Sequence, residues 1–320
     1  MNLLVTGSAS HLARVLLPML SAHPQVQRIV GVDIKSCEFS HPKFVSFQLD
    51  IRAPEFEQLL DDIDCVIHLA FVVLRSQLKR QRRNRELMRD INVRGSINVF
   101  TLCQQHHIDI IHLSSAVIYG AWPDNPALIK ENQPYRIMTG FSYAEDKVAV
   151  EQWLDNLESK PDAPRIVRLR PHIILGPNSQ SFLLNLLRLP FYPRLPDPQP
   201  RLQCIWENDV AMAIISATLG QAHGAFNLAA DVTNYKALIQ ARHPRSMSFP
   251  YSLTRLIHRV IWRLFALGEE PRWLQSAAYS LALDTQRAHD HLHWQPSRSS
   301  LQCALDSAQQ SQLNNRQLDA

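Results

Sequence analysis

Glycine is scarce in this chain, and cysteine is scattered. Nine glycines stand against twenty prolines in 320 residues, so a phosphate-binding loop built on glycine has few residues to draw on. The five cysteines (Cys37, Cys65, Cys103, Cys204 and Cys303) are odd in number and form no Cys-x-x-Cys pair. That argues against a disulfide scaffold or a zinc ribbon and fits a reducing, cytoplasmic setting. Long apolar runs are also missing, so membrane insertion is not expected. The chain opens directly as an apolar strand, Leu3-Leu4-Val5-Thr6, with no basic leader or cleavage site, and no signal peptide is expected. Charge of either sign is modest: 19% of residues are charged and the formal net charge is +4. Global charge therefore gives no argument for nucleic acid as a partner. No internal repeat is present.

What remains is an apolar content of 46%, enough for one large α/β domain or two intimate ones. Short apolar runs at 2–6, 27–33, 44–50, 65–70, 108–114 and 165–169 predict strands. Helix-spaced segments lie between them at about 12–20, 85–106 and 143–157. Such alternation predicts βαβ units and a doubly wound parallel sheet of Rossmann type, covered on both faces. Residues 1–171 are assigned to a dinucleotide-binding domain. Residues 172–310 are assigned mainly to a smaller, interleaved substrate-binding region, with 205–230 partly returning to the sheet. The polar Gln/Asn-rich end beyond about Asp306, and 311–320 in particular, is expected to fray.

Three pieces of this frame carry chemistry. Thr6-Gly7-Ser8-Ala9-Ser10-His11-Leu12-Ala13 follows the first strand and opens a helix, where a glycine-rich phosphate loop belongs. Gly7 stands in the first glycine position of TGxxGxxG, Ser10 in the second and Ala13 in the third. Ser10 adds a side chain where the phosphates should lie, although the helix N-terminus remains an anion site. Asp33 ends the second strand about twenty residues later, where an acid holds the adenosine ribose hydroxyls. Its charge favours NAD over NADP, while the nearby Lys35 weakens that preference and keeps NADP open. Asp50-Ile51 closes the third strand, at the adenine edge. The third piece is Ser115, Tyr143 and Lys147. Four-residue spacing puts Tyr143 and Lys147 on one helix face, and Ser115 closes a strand that could sit opposite. The ammonium would lower the phenol's pKa, and the hydroxyl could bond a substrate oxygen.

Taken together, the chain resembles an extended short-chain dehydrogenase/reductase of the NAD-dependent epimerase/dehydratase family. The likeness runs through Thr6-Gly7, Asp33, Asp50-Ile51, His68-Leu69-Ala70, Asn92-Val93-Arg94-Gly95, 113–120 and Tyr143-xxx-Lys147. It continues through Arg168-Leu169-Arg170-Pro171, Gly176-Pro177, Asn208-Asp209-Val210-Ala211, Phe226-Asn227-Leu228 and Leu292-His293-Trp294-Gln295-Pro296. The resemblance implies that Tyr143 is the general acid/base, that Lys147 lowers its pKa and holds the nicotinamide ribose, and that Ser115 bonds the reacting oxygen. It implies that Gly7, Ser10, His11 and Leu12 face the phosphates and that Leu69 and Ala70 line the dinucleotide cleft. It further implies that Asn92 braces the site and that Pro171 lies near the nicotinamide. A small-molecule substrate follows, and the resemblance is compatible with a homodimer.

Departures from the family pattern narrow the reaction. Sugar 4,6-dehydratases carry Asp-Glu directly after the active-site hydroxyl residue. Here Ala116-Val117 follow Ser115, which disfavours dehydration. Nucleotide-sugar epimerases usually place an Asn at the position of Ile173, and Arg201 lies one residue out of register for their later phosphate-binding Arg. A nucleotide sugar and a less charged alcohol or ketone therefore both stay open, as do epimerisation and net oxidation or reduction. The rival from another class is a non-catalytic dinucleotide-binding sensor.

Five other features have bland readings. The cluster Lys79-Arg80-Gln81-Arg82-Arg83-Asn84-Arg85 reads as a solvated loop and helix start, and lacks the aromatic residues of a nucleic-acid site. His289, His291 and His293 alternate without a Cys or carboxylate cluster, so no metal is expected. His106-His107 reads as a helix end favoured by the macrodipole, and Trp206 as core packing. Residues 252–267 predict an amphipathic helix. Leu253, Leu256, Ile257, Val260, Ile261, Leu264 and Phe265 lie on one face, and Arg255, His258, Arg259 and Arg263 on the other. It is read as packed with a solvated basic face, the sharper alternative being a membrane-surface or acidic-ligand contact.

Overall fold

The apolar runs of the first 171 residues become parallel strands; the central ones are buried on both faces, while the edge strand at 44–48 is largely exposed. A computed structural model describes residues 1–73, 81–179, 181–187, 191–197, 199–265 and 271–318. The strands are β1 (Asn2–Thr6), β2 (Arg28–Asp33), β3 (Phe44–Gln48), β4 (Cys65–His68), β5 (Asp109–Leu113) and β6 (Ile166–Pro171). Then come β7 (Ile173–Leu175), β8 (Phe191–Arg194), β9 (Arg201–Leu202), β10 (Cys204–Trp206), β11 (Gly224–Leu228), β12 (Thr233–Asn234) and β13 (Met247–Pro250). Seven of them form one sheet in the order β11-β6-β5-β4-β1-β2-β3, every neighbour parallel. The order reverses between β1 and β4, so a crevice opens beyond the carboxyl ends of these two strands.

Period-two alternation sends neighbouring side chains to opposite cores. Leu3, Val5, Ile67 and Leu169 pack with Leu16 and Leu20 of α1 (Ala13–Ala22) and with later residues such as Ile214. Leu4, Val30, Val66 and Ile110 pack on the other face with Phe100, Val150 and Leu154.

The segment expected as one helix over 85–106 is three pieces: α2 (Gln81–Arg89), a π-helical turn at Asp90–Gly95, and α3 (Ser96–Gln105). The wider turn carries the buried Asn92, and such turns cluster at functional sites. Of the basic cluster, residues 79–80 lie outside the described residues, while Arg85 pairs with Glu145 and Asp146. Helix α4 (Ser142–Glu158) then packs against the π turn.

Beyond β6 the chain builds three two-stranded pairings: β7 with β10, β9 with β12, and β8 with β13. Around them lie α5 (Phe182–Leu187), α6 (Glu207–Leu219), α7 (Tyr235–Arg242), α8 (Tyr251–Phe265), α9 (Arg272–Ser276), α10 (Gln286–Leu292) and α11 (Ser300–Leu318). Leu175, Leu187, Leu202, Trp206, Leu238 and Cys303 share a further core, so Trp206 is a packing residue. Strand β11 returns to the main sheet beside β6.

Helix α11 runs through Leu318, across the stretch expected to fray. Cys303, Ala304 and Ser307 anchor its buried side. The apolar face of α8 is not packed: Leu253, Leu256, Ile257, Val260 and Ile261 are exposed, because the helix rests on β8 and β13 by another flank. Residues 266–267 of that expected helix lie outside the described residues. Among the described residues, no helix is long and apolar enough to cross a membrane.

Candidate active site

The phosphate-loop end of the crevice is shaped by Gly7. Its φ is +72°, and a Cβ there would stand 2.7 Å from the Ala70 backbone nitrogen. Only glycine allows both the turn and the close approach of the loop to the end of β4. Ser10 explains how the loop manages without its second glycine. Its hydroxyl accepts from the Ala13 N–H at 3.3 Å, and its own N–H donates to the Gly7 carbonyl at 2.9 Å. The side chain is turned back as a cap on α1. Asp33 fastens the loop from the side, accepting from the Ala9 N–H and the Lys35 N–H, each at 3.0 Å.

Asp50 and Ile51 are placed differently from expectation. Strand β3 ends at Gln48, and the Asp50 carboxylate is held by Arg52 at 2.5 Å, with Arg52 also reaching Asp90. This partner holds the Asp50 carboxyl below its usual range. Ile51 is buried against Gly95, where an added Cβ would meet its Cδ1 at 2.7 Å.

At the other end, Ser115 leaves β5 in an extended conformation and caps the short 3-10 turn Ala116–Tyr119, its Oγ accepting from Val117 N–H at 3.3 Å. Tyr143 is the second residue of α4 and shares a side-chain hydrogen bond with Ser115. Lys147, one turn further on, donates to the Leu113 carbonyl at 2.7 Å. Its Nζ also lies 3.8 Å from the Phe71 ring centroid. Aromatic rings wall the phenol: Phe71 and Trp273 each stand 5.4 Å from the Tyr143 ring.

The electrostatics of the site are set first by burial. It raises the Tyr143 phenol, and the Ser115 hydrogen bond works the other way. Desolvation lowers Lys147 to about 7, with Glu151 and Asp146 opposing. A buried amine is disfavoured as a cation for the same reason a buried phenol is disfavoured as an anion.

Asn92 ties the pieces together. Its carbonyl accepts from Val72 N–H at 2.8 Å, and its amide donates to the Val72 carbonyl at 2.9 Å and to Asp146 at 3.1 Å. It thereby clamps the loop after β4 to the helix that carries Tyr143 and Lys147. Asp146 in turn pairs with Arg85 and Arg89. Below them Arg170 donates to Glu151 at 2.9 and 2.7 Å, and to Tyr119, whose hydroxyl donates to Asn227 of β11 at 2.9 Å.

One cavity of about 390 Å³ joins the two ends: His11, Leu12, Leu69, Ser115, Tyr143, Lys147 and Pro171 line it. Gly7, Ser10, Asp33, Asp50, Ile51, Ala70 and Asn92 are not among the residues that line it. Residues missed in the sequence reading also line it, chiefly Phe71, Trp273 and Glu207. Phe71 directly follows the Leu69-Ala70 signal, but nothing in the spacing points to Trp273. Burial raises the Glu207 carboxyl, which Asn178 partly offsets by donating to it. His172 bridges Leu281 and Ile173, and burial holds it at about 4, so its ring is neutral. The described residues contain no cluster suited to a metal ion.

A switch-point crevice with a tight Gly7 turn and a Ser-Tyr-Lys group in one cavity defines a Rossmann-type α/β protein with a dehydrogenase-like site. The chain belongs to the NAD dependent epimerase/dehydratase family, whose model matches residues 3–188. The uncharacterized protein Mb0513 of Mycobacterium bovis is 25% identical over 238 residues, covering 71% of this chain. The chain spans only 62% of that relative's length. The short-chain dehydrogenase/reductase family 42E member 1 of Homo sapiens is 29% identical over 171 residues, covering 50% of this chain and 42% of its own. Among solved structures, the dTDP-glucose 4,6-dehydratase DesIV from Streptomyces venezuelae, with NAD and TYD bound, superposes with a TM-score of 0.75. That match has 16% identity and covers 99% of this chain and 98% of the other.

Proposed function

We propose that the protein is an NAD-dependent oxidoreductase or epimerase acting at an alcohol or ketone carbon. One observation carries this reading: Ser115, Tyr143 and Lys147 line the same cavity as His11 and Leu12 of the phosphate loop. The residues suit a dinucleotide, since Gly7 makes the tight turn that brings the loop against the end of β4 and Asp33 stands at the loop's flank. Gly7, His11, Leu12, Asp33, Leu69, Lys147 and Pro171 would hold it, and Asp33 favours NAD over NADP. Bound NAD supplies the acceptor or donor of a hydride.

This chain's residues handle the proton. Tyr143 gives a proton to the substrate oxygen in reduction or takes it in oxidation. Ser115, already bonded to Tyr143, steadies the same oxygen. The raised phenol keeps Tyr143 protonated at neutral pH, the form a reduction needs. The apolar walls and the desolvated Lys147 keep water from competing at that oxygen.

For the substrate, Ile173, Val117, Met138 and Trp273 on the cavity wall favour a weakly charged alcohol or ketone. A nucleotide sugar is the second reading, because Arg201 also lines the cavity and could meet a phosphate. Dehydration is disfavoured by the residues after Ser115: Ala116 is buried and Val117 is apolar. That reading rests on these side chains, since the fold is shared with 4,6-dehydratases such as DesIV. Mass spectrometry of co-purifying small molecules supplies the candidate substrate. Tyr143→Phe is then expected to cut hydride transfer by about 10²–10⁴-fold with NAD binding retained. Turnover that survives this change would refute the mechanism, and NAD binding without any turnover would favour a sensor.

A further inference from the structure

The face of α8 that the hydrophobic pattern marks as buried is turned to solvent. Leu253, Leu256, Ile257, Val260 and Ile261 are between 38% and 57% exposed. At about 100° per residue they cover an arc of about 140°. The flank that rests on the rest of the protein is a different one, carrying the half-buried Tyr251, Thr254 and His258. Arg255, Arg259 and Arg263 are exposed in a single i, i+4, i+8 stripe beside the apolar arc. Strand β13, which leads into the helix, adds Met247 at 63% and Phe249 at 40% exposure, and Phe249 stacks edge-on against the exposed Phe191.

The stretch of sequence that contains this helix is one-sided in charge. Between Asp231 and Glu269 the chain has no Asp or Glu, yet it holds Lys236, Arg242, Arg245, Arg255, Arg259 and Arg263. The whole chain, by contrast, is only +4. An apolar arc bordered by an arginine stripe on a helix too short and too charged to span matches a helix lying in the plane of a membrane interface. A second copy of the chain is a poorer occupant, since pairing two such faces would bring arginine stripes together with no acid on the helix to meet them. Nucleic acid would leave the leucine and isoleucine side chains unused.

We propose that α8, with the end of β13, is a peripheral membrane-binding surface for anionic phospholipid. The apolar arc enters the headgroup–acyl boundary while the arginines meet lipid phosphates. The next described helix in the chain is α9, whose Trp273 lines the active-site cavity.

The test is flotation of the full chain with vesicles of phosphatidylcholine alone and with phosphatidylglycerol added at one part to two. The protein is expected to float with the anionic vesicles only, and to be released by salt. Arg255→Gln with Arg259→Gln is expected to lower partitioning about 25-fold, at about fivefold for each arginine near the surface. Leu256→Ser with Ile257→Ser is expected to lower it at least about tenfold. Unchanged NAD binding and unfolding midpoint would show that both variants are folded, and the salt titration of the unaltered protein stands independently of them. Failure to float with anionic vesicles would overturn the proposal, as would equal binding to pure phosphatidylcholine or binding indifferent to both pairs. A lipid-free dimer dissociated by Leu256→Ser with Ile257→Ser, in protein that does not float, would overturn it in favour of a self-interface.

Discussion

Replacing Lys147 by Met should make the protein more stable and inactive at once, in a way that depends on pH. The amine is buried, and desolvation takes it from its ordinary 10.5 to about 7. At about 1.4 kcal/mol for each tenfold change, the folded state disfavours the ammonium by about 5 kcal/mol. Below about pH 7 the folded protein must carry the charge and the cost is fully present. Between about 7 and 10.5 the folded amine is neutral while the unfolded one is protonated, so stability rises with pH across that window. Met has similar length and no charge. It forfeits the bond to Leu113, worth about 1 kcal/mol. Urea unfolding of the cofactor-free protein near pH 6 should therefore find the Met variant more stable by about 2–4 kcal/mol. From about pH 6 to about pH 9 that advantage should shrink by about 2–3 kcal/mol. Parallel pH profiles for the two proteins would refute the argument, because they would mean that Lys147 does not titrate abnormally. The variant should also lose hydride transfer, so the site holds its lysine against the stability of the fold.

Two other changes test the scaffold. Gly7→Ala puts a Cβ against the Ala70 backbone at 2.7 Å and at φ +72°, and should cost about 2–4 kcal/mol in urea unfolding. The same variant should lose the thermal stabilisation that NAD gives the unaltered protein. Asn92→Ala leaves both backbone groups of Val72 without their side-chain partner and should cost about 2–4 kcal/mol. Faster amide hydrogen exchange at Val72, with no change in far-UV circular dichroism, would locate that loss in the clamp.

The parallel sheet was legible because its central strands are buried on both faces, and double burial leaves continuous apolar runs such as Cys65-Val66-Ile67. The interruption at Asp90–Gly95 was not, since Asn92 is polar and its reason for burial lies at Val72, twenty residues away. The Gln/Asn-rich C-terminal helix was hidden by its composition, because its anchoring residues, Cys303, Ala304 and Ser307, are small. In the site, Tyr143 and Lys147 were legible from spacing, and Ser115 from its place at a strand end. Trp273 was not, because it reaches the cavity from a distant segment. The burial that raises the Tyr143 phenol was not legible either, since sequence shows the neighbouring charge while burial belongs to the assembled fold.

Strand β11 has a consequence for how the chain is made. It pairs along β6 from Gly224 to Leu228, and its Asn227 receives the Tyr119 hydroxyl in the buried network around Arg170. During synthesis β6 emerges first, with a bare edge of N–H and C=O groups and a buried-charge network short of one member. Only after residue 228 has left the ribosome can that edge be covered and the network closed. A ribosome stalled between these points would present an open, apolar strand to its neighbours, which makes this interval the vulnerable stretch of its biogenesis.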